Sequence, residues 1–171
     1  MSAREIDTAA VRLERTFAGT PEEVFDAWTS PEVLTRWWAA QPTWSSPGCE
    51  VDLRVGGRYT LRMRDDDGRV YAVGGEYRAV DRPRRLVYTW CWEGTDGPEP
   101  GHVSLVTVEF HAEGAGTTVV LEHSGLASEQ SRTGHAAGWT GALENLARRI
   151  FTTSDRVAGN LPGTRTTDST A

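Results

Sequence analysis

The stretch SEQSRTGHAAGWTGALENLARRIF, Ser128–Phe151, decides the fold of this chain. Its apolar residues recur at intervals of three and four positions, which is the spacing of a helix with one buried face. Ser128 suits the N-cap position, and Arg148 lies near the end where the helix dipole favours positive charge. The sequence therefore predicts one long amphipathic helix. The residues of its apolar face are Trp139, Leu143, Leu146 and Ile150.

Three glycines interrupt the predicted helix, Gly134, Gly138 and Gly141. A glycine inside a helix costs about 0.5–1 kcal/mol relative to alanine, so each of them needs a reason. Either another backbone comes close to the helix, or space is kept open there. The buried face continues towards the N-terminus through His135 and Ser131, so one end of it is apolar and the other is small and polar. We therefore expect the helix to lie over a curved sheet and to half-cover a cavity.

Composition excludes several classes of function. The chain has 171 residues, which suits one domain, and its net charge of −6 argues against binding to nucleic acid or to an anionic membrane. It contains no lysine, which excludes a lysine Schiff base and a P-loop lysine. Cys49 and Cys91 have no CxxC spacing, and the dispersed histidines lack a metal-binding pattern. We expect no metal and no cofactor.

The ends of the chain differ in composition from its middle. The N-terminus lacks an apolar run of signal-peptide length, and no stretch approaches the roughly 20 apolar residues of a membrane span. We therefore expect a cytoplasmic protein with no membrane insertion. Residues 1–9 are interpreted as a lead-in, residues 10–152 as the folded domain, and residues 153–171, rich in Thr, Ser and Gly, as a flexible tail.

The predicted order of elements is one strand, two short helices, six strands and the long helix. Thr20-Pro21-Glu22-Glu23 is a strong helix start, and Pro31 begins a second helix because it disfavours helical geometry at Ser30. Alternating apolar residues mark the strands, and Gly74-Gly75 is expected to form a bulge or a sharp bend. Strands segregated from helices indicate an α+β fold with a curved antiparallel sheet wrapped around the long C-terminal helix, the helix-grip arrangement.

Several runs of the sequence resemble one known family. In order along the chain they are TPEEVFDAWTSPEVLTRWW (Thr20–Trp38), EVDLRVGGRY (Glu50–Tyr59), RLVYTW (Arg85–Trp90), GTTVVLEHSGL (Gly116–Leu126) and Gly138-Trp139. The set resembles the heat-shock-chaperone ATPase activator homologue branch of the START-like, or SRPBCC, superfamily, over about residues 10–151. The resemblance implies a cavity between the long helix and the sheet. It also implies several activities, because the superfamily includes lipid and polyketide carriers, aromatase/cyclases, hormone receptors, self-resistance proteins that bind antibiotics, and a chaperone-binding domain.

The candidate binding residues lie on one strand face and on the long helix. Tyr88, Trp90 and Trp92 share a face of one strand and would form an aromatic wall suited to a flat, apolar ligand. His135 is the best polar candidate, and His123 is expected to make a structural hydrogen bond. The full predicted site comprises Trp38, Trp44, Tyr88, Trp90, Trp92, Val106, Val108, Leu121, His123, Ser131, His135, Gly138, Trp139 and Ala142.

Binding is favoured over catalysis because the predicted cavity lacks converging polar groups. No nucleophile elbow, catalytic Cys-His arrangement or phosphate loop is present in the sequence. We expect a protein that binds a hydrophobic, aromatic or polyketide-like small molecule as a carrier, a sequestration protein or a self-resistance protein. Two alternatives stay open: a polyketide cyclase- or hydrolase-like enzyme with His135 as general acid or base, and a protein-interaction module like the chaperone activator. A homodimer is also open.

Overall fold

The computed structural model describes residues 9–95 and 97–152, and its elements follow the predicted order. The predicted tail, residues 153–171, and residues 1–8 of the predicted lead-in lie outside the described residues. The elements are β1 (Val11–Phe17), α1 (Pro21–Thr29), α2 (Pro31–Trp37), β2 (Cys49–Val51), β3 (Arg58–Arg64), β4 (Val70–Asp81), β5 (Arg85–Trp92), β6 (Ser104–Glu113), β7 (Gly116–Ser124) and α3 (Glu129–Arg149).

The strands form one antiparallel sheet in the order β1-β7-β6-β5-β4-β3-β2. Every neighbour except the β1–β7 pair is also the next strand along the chain, so the sheet is a meander closed at one edge by the first strand. The two short helices connect β1 and β2, which lie at opposite edges of the sheet. This curved sheet with a C-terminal helix and two short early helices is the helix-grip fold, and that prediction is confirmed.

The local signals for the helices operate as the sequence predicts. Thr20 Oγ1 accepts a hydrogen bond from the Glu23 amide at 3.1 Å, while Glu23 Oε1 accepts one from the Thr20 amide at 2.9 Å. This reciprocal capping box fixes the start of α1. Ser30 adopts an extended conformation before Pro31, which separates α1 from α2. At α3, the Ser128 hydroxyl accepts from the Ser131 amide at 3.0 Å.

Of the two features predicted at Gly74-Gly75, the bulge is wrong, and the sharp bend stays a prediction. Strand β4 runs unbroken through both glycines, and its register shifts later, between Tyr77 and Ala79. A Cβ atom at Gly75 would overlap the backbone carbonyl of Thr89 on β5. The glycine therefore permits close approach of a neighbouring strand and does not mark an extra residue.

The core between the sheet and the helices is unusually rich in aromatic rings. Trp28 of α1 packs edge-to-face on Phe110 of β6 and stacks near Trp139 of α3, with ring centroids 5.8 Å and 6.3 Å apart. The Trp37 indole is fully buried and donates to the Ala27 carbonyl at 3.0 Å. Aromatic packing thus joins α1, α2, α3 and the sheet, and it positions Trp38 and Trp139 beside the cavity.

Candidate ligand cavity

A cavity of about 380 Å³ lies between α3, the loop after α2 and strands β3–β5. The structure places eight of the predicted site residues around it: Trp38, Trp44, Trp90, Trp92, His135, Gly138, Trp139 and Ala142. These residues come from three segments of the chain, the loop after α2, β5 and α3, and most of them are aromatic. The volume is at the lower end of the range typical of small-molecule sites.

The other six predicted residues lie in the packed interior and do not border the cavity. Tyr88 accepts a hydrogen bond from the Trp28 indole at 3.1 Å and packs edge-to-face on Tyr59, so its side chain faces the core under α1. Alternation along β5 identified its face correctly but could not show how far along the strand the cavity extends. The six are Tyr88, Val106, Val108, Leu121, His123 and Ser131, all buried.

Seven further residues line the cavity that the sequence pattern did not indicate: five come from loops and from β3 and β4, and two come from α3 itself. Tyr71 of β4 stacks on Trp44, with ring centroids 6.1 Å apart and an interplanar angle of 16°. Gln41 belongs to the loop after α2, and only tertiary contacts bring it to the rim. The missed residues are Ala40, Gln41, Met63, Tyr71, Pro98, Gly134 and Ala137.

Asn145 positions the loop that forms the rim. Its side-chain Nδ2 donates to the backbone oxygens of Ala39 and Gln41, both at 3.0 Å, although it lies fully buried on α3. Arg149, one turn later, donates to the oxygens of Pro42 and Trp44. The only sequence signal for this role is a polar residue on the buried side of the helix, next to Leu146.

His135 is held in the wall by two hydrogen bonds that define its tautomer. The Trp92 indole nitrogen, which can only donate, lies 3.0 Å from His135 Nε2. Nε2 must therefore accept, and Nδ1 carries the proton that it donates to the Ser131 carbonyl oxygen at 2.9 Å. The imidazole is neutral in this arrangement, and both of its nitrogens are engaged.

His123 and Trp139 form a second hydrogen-bonded histidine–indole pair behind the wall. The Trp139 indole donates to His123 Nδ1 at 3.0 Å, so the proton lies on Nε2 and is donated to Ser104 Oγ at 2.8 Å. The structural hydrogen bond expected of His123 is thus present. Burial and, secondarily, the nearby His135 lower the pKa of His123 to about 3, because neither can stabilise a charged imidazole. The two imidazole centroids are 5.0 Å apart.

The cavity wall is uncharged. Among the described residues that line it there is no carboxylate and no guanidinium. The indole nitrogens of Trp38 and Trp90 are buried and have no hydrogen-bond partner within residues 9–95 and 97–152. Leaving a buried donor unpaired costs about 1–3 kcal/mol, so each of these two indoles lowers the stability of the fold by roughly that amount.

Two different causes explain why α3 contains three glycines. A Cβ atom at Gly141 would overlap the carbonyl oxygen of Ala40, so that glycine admits the backbone of the rim loop. At Gly134 a Cβ would meet nothing within 4 Å, and at Gly138 it would only touch the Ala40 side chain at 3.9 Å. Both of the latter line the cavity. Each alternative predicted from the sequence therefore occurs on the same helix.

We expect Gly134→Ala to raise the free energy of unfolding by about 0.5–1 kcal/mol, because alanine restricts the unfolded chain and meets no obstacle in α3. Urea unfolding followed by circular dichroism measures this difference. A loss of stability would show that the backbone at this position is not free to carry a side chain.

The fold and the cavity together define a START-like protein of the helix-grip type. A family profile described as "Activator of Hsp90 ATPase homolog 1-like protein" matches residues 18–150, and the chain belongs to this family. The resemblance inferred from the sequence motifs is thereby confirmed.

Solved structures agree with this assignment. The AHSA1 protein from Silicibacter pomeroyi is 28% identical, with a TM-score of 0.72 over 82% of this chain and 96% of that chain. The AHSA1-like protein from Aeromonas hydrophila is 29% identical, with a TM-score of 0.69 over 85% and 94%. A protein from Mycobacterium smegmatis, 24% identical with a TM-score of 0.71 over 86% and 93%, shares the fold. Comparison with curated proteins gave no match.

Two further findings concern the described part of the chain. It contains no group of three or more His, Cys, Asp or Glu residues placed to hold a metal ion. None of its helices combines the length and the apolar character that crossing a membrane requires.

Proposed function

We propose that this protein binds a hydrophobic, aromatic or polyketide-like small molecule in the cavity and carries or sequesters it without converting it. Self-resistance to a natural product is one form of such sequestration. The observation that supports binding is the cavity itself: about 380 Å³ of space lined by Trp38, Trp44, Trp90, Trp92 and Trp139. Burial of apolar ligand area there would supply most of the affinity, at about 25 cal/mol per Å² before ordering costs.

The position of His135 supports binding over turnover. A general base needs a nitrogen that can reach the reacting proton. In His135 the lone pair of Nε2 already accepts from Trp92, and Nδ1 donates to Ser131. We therefore propose that His135 orients Trp92 in the wall. The enzyme alternative would require Trp92 to move away before His135 could act.

Three other sequence predictions stay predictions: the cytoplasmic location, the homodimer and the protein-interaction module. The family name refers to an activator of a chaperone ATPase. Exposed large apolar side chains occur in the described residues at Leu53, Val55, Val70, Val103 and Leu105. They lie on three segments of the chain and favour no particular partner, so small-molecule binding remains the function that we propose.

The proposal is tested with the neutral fluorescent probe N-phenyl-1-naphthylamine. We expect the probe to gain fluorescence on binding and to quench tryptophan emission, because five tryptophans line the cavity. A probe concentration of 100 times Kd should stabilise the protein by about 2.7 kcal/mol in thermal unfolding. Recovery of the probe unchanged after incubation supports carriage without conversion. No binding by this probe or by a panel of polycyclic compounds would overturn the proposal.

A cavity-filling variant makes the same test site-specific. In Gly138→Leu the new side chain would project into the space that Gly138 leaves open, so we expect the probe Kd to rise at least tenfold. The variant should be at least as stable as the unchanged protein, since leucine favours a helix over glycine by roughly 0.8 kcal/mol. Thr133→Leu, which adds leucine at an exposed position on the same helix, is the matched control and should bind normally. Equal affinities in both variants would place the probe elsewhere.

A further inference from the structure

We infer that the cavity selects uncharged ligands, so that an aromatic ketone or quinone binds while a carboxylate or an ammonium compound of the same shape is rejected. The inference rests on the proposed function, since it specifies the ligand class of that cavity. It follows from the wall residues and from the hydrogen bonds behind them.

An anion inside the cavity would lose its hydration and find no cation to replace it. The wall has no guanidinium among its described residues, and the chain has no lysine. Arg149 contacts the rim loop, but it does not line the cavity, and its guanidinium N–H groups are directed at the backbone oxygens of Pro42 and Trp44. Burial of an unpaired charge in an apolar site is strongly unfavourable, so a carboxylate would bind weakly or remain protonated.

His135 cannot supply the missing positive charge in this arrangement. A protonated imidazole has two donor nitrogens, whereas Nε2 of His135 must accept from the Trp92 indole. Protonation would set two N–H groups against each other at 3.0 Å. The titratable group facing His135 from the sheet is His123, whose imidazole is also fixed as an acceptor by Trp139. The indole N–H groups of Trp92 and Trp139 therefore favour the neutral form of both imidazoles.

A cation is disfavoured for a different reason. Aromatic faces attract cations, but only where the face is open to the ligand. In this wall the rings pack edge-to-face, so neighbouring rings occupy part of the surface that a cation would approach: the pairs are Trp38–Trp90, Trp90–Trp92 and Trp38–Trp139, with interplanar angles of 68°, 89° and 71°. Trp44 and Tyr71 are nearly parallel and offset, with ring centroids 6.1 Å apart. The Asp65 carboxylate contacts this wall through the Tyr71 hydroxyl, and it already accepts from two backbone amides.

The test uses three naphthalene compounds that share one ring system: 2-acetonaphthone, 2-naphthoate and 2-naphthyltrimethylammonium. Each is titrated at pH 7 as a competitor of N-phenyl-1-naphthylamine bound to the full chain. We expect the neutral ketone to compete with a Kd at least tenfold lower than that of either charged compound. Equal or tighter binding of the carboxylate would overturn the inference, and so would equal or tighter binding of the ammonium compound, which would indicate an open aromatic cage.

The failure of this inference is distinguishable from failure of the proposed function. If neither N-phenyl-1-naphthylamine nor any compound of the polycyclic panel binds, the proposed function fails. If that probe binds but the ketone does not displace it better than the charged compounds do, the cavity is a ligand site and only the charge selection is refuted.

A change of charge in the wall provides a second, independent readout. Met63 lines the cavity from β3 and has a long unbranched side chain, so Met63→Lys introduces a cation of similar shape. We expect 2-naphthoate to bind at least tenfold more tightly to Met63→Lys than to the uncharged control Met63→Gln, with both folds checked by circular dichroism. Unchanged affinity for the carboxylate in a folded Met63→Lys protein would contradict the inference. The three-compound series on the unchanged chain does not depend on either variant.

Discussion

The free energy of unfolding should fall steeply as the pH drops below 6.5, and His123 should be the main cause above the range in which carboxylates titrate. The pKa of His123 lies near 3 in the folded protein, against an ordinary value of 6.5 that applies to the unfolded chain. Between these values the unfolded chain binds a proton that the native protein does not, so acid favours unfolding. Above pH 6.5 this proton linkage costs little stability. The free energy of unfolding falls by about 2 kcal/mol by pH 5, and the total loss from His123 approaches an upper limit of about 5 kcal/mol near pH 3.

Urea unfolding at pH 8, 7, 6 and 5 measures this dependence, with His123→Gln as the informative variant. Glutamine can accept from the Trp139 indole but does not titrate, so we expect a flatter profile that begins from a lower stability at pH 8. His111→Gln, which replaces an exposed histidine and leaves His123 in place, is the control variant. Identical slopes in the two variants would show that His123 is not the responsible group.

The sequence predicted the elements because their signals are local. The capping box at Thr20 and the spacing of Trp139, Leu143 and Leu146 depend on residues within one or two helical turns, and they operate in the structure as expected. The prediction of a bulge at Gly74-Gly75 was wrong because the cause of these glycines is not local. A glycine signals that a side chain is not tolerated, but the cause here is Thr89 on a neighbouring strand, which local sequence cannot reveal.

The cavity was predictable only where one element carries several of its residues. His135, Gly138 and Trp139 follow from the face of α3, and Trp90 and Trp92 follow from alternation on β5. Alternation gives the face of a strand but not the depth along it, which is why Tyr88 was assigned to the wall although it lies under α1. Wall residues from loops and other strands need the tertiary fold. The tautomers of His135 and His123 also depend on the tertiary fold, because each imidazole accepts from an indole of another element.

Gly141→Ala should destabilise the protein by about 1–3 kcal/mol or more, the range for overpacking a well-packed interior, although alanine is the better helix former. The added Cβ would overlap the carbonyl oxygen of Ala40 and lie 2.8 Å from its carbonyl carbon, and both are backbone atoms that cannot rotate away. The rim loop is also tied to the same helix by Asn145, so it cannot retreat without losing two buried hydrogen bonds. Since Ala40 and Gln41 line the cavity, a displaced loop should also weaken binding of N-phenyl-1-naphthylamine. Urea unfolding measures the loss of stability. Gly134→Ala is the control, because it is the same substitution two turns earlier and its Cβ meets no other atom. Equal stability of the two variants would mean that the rim loop does not contact the helix closely at Gly141.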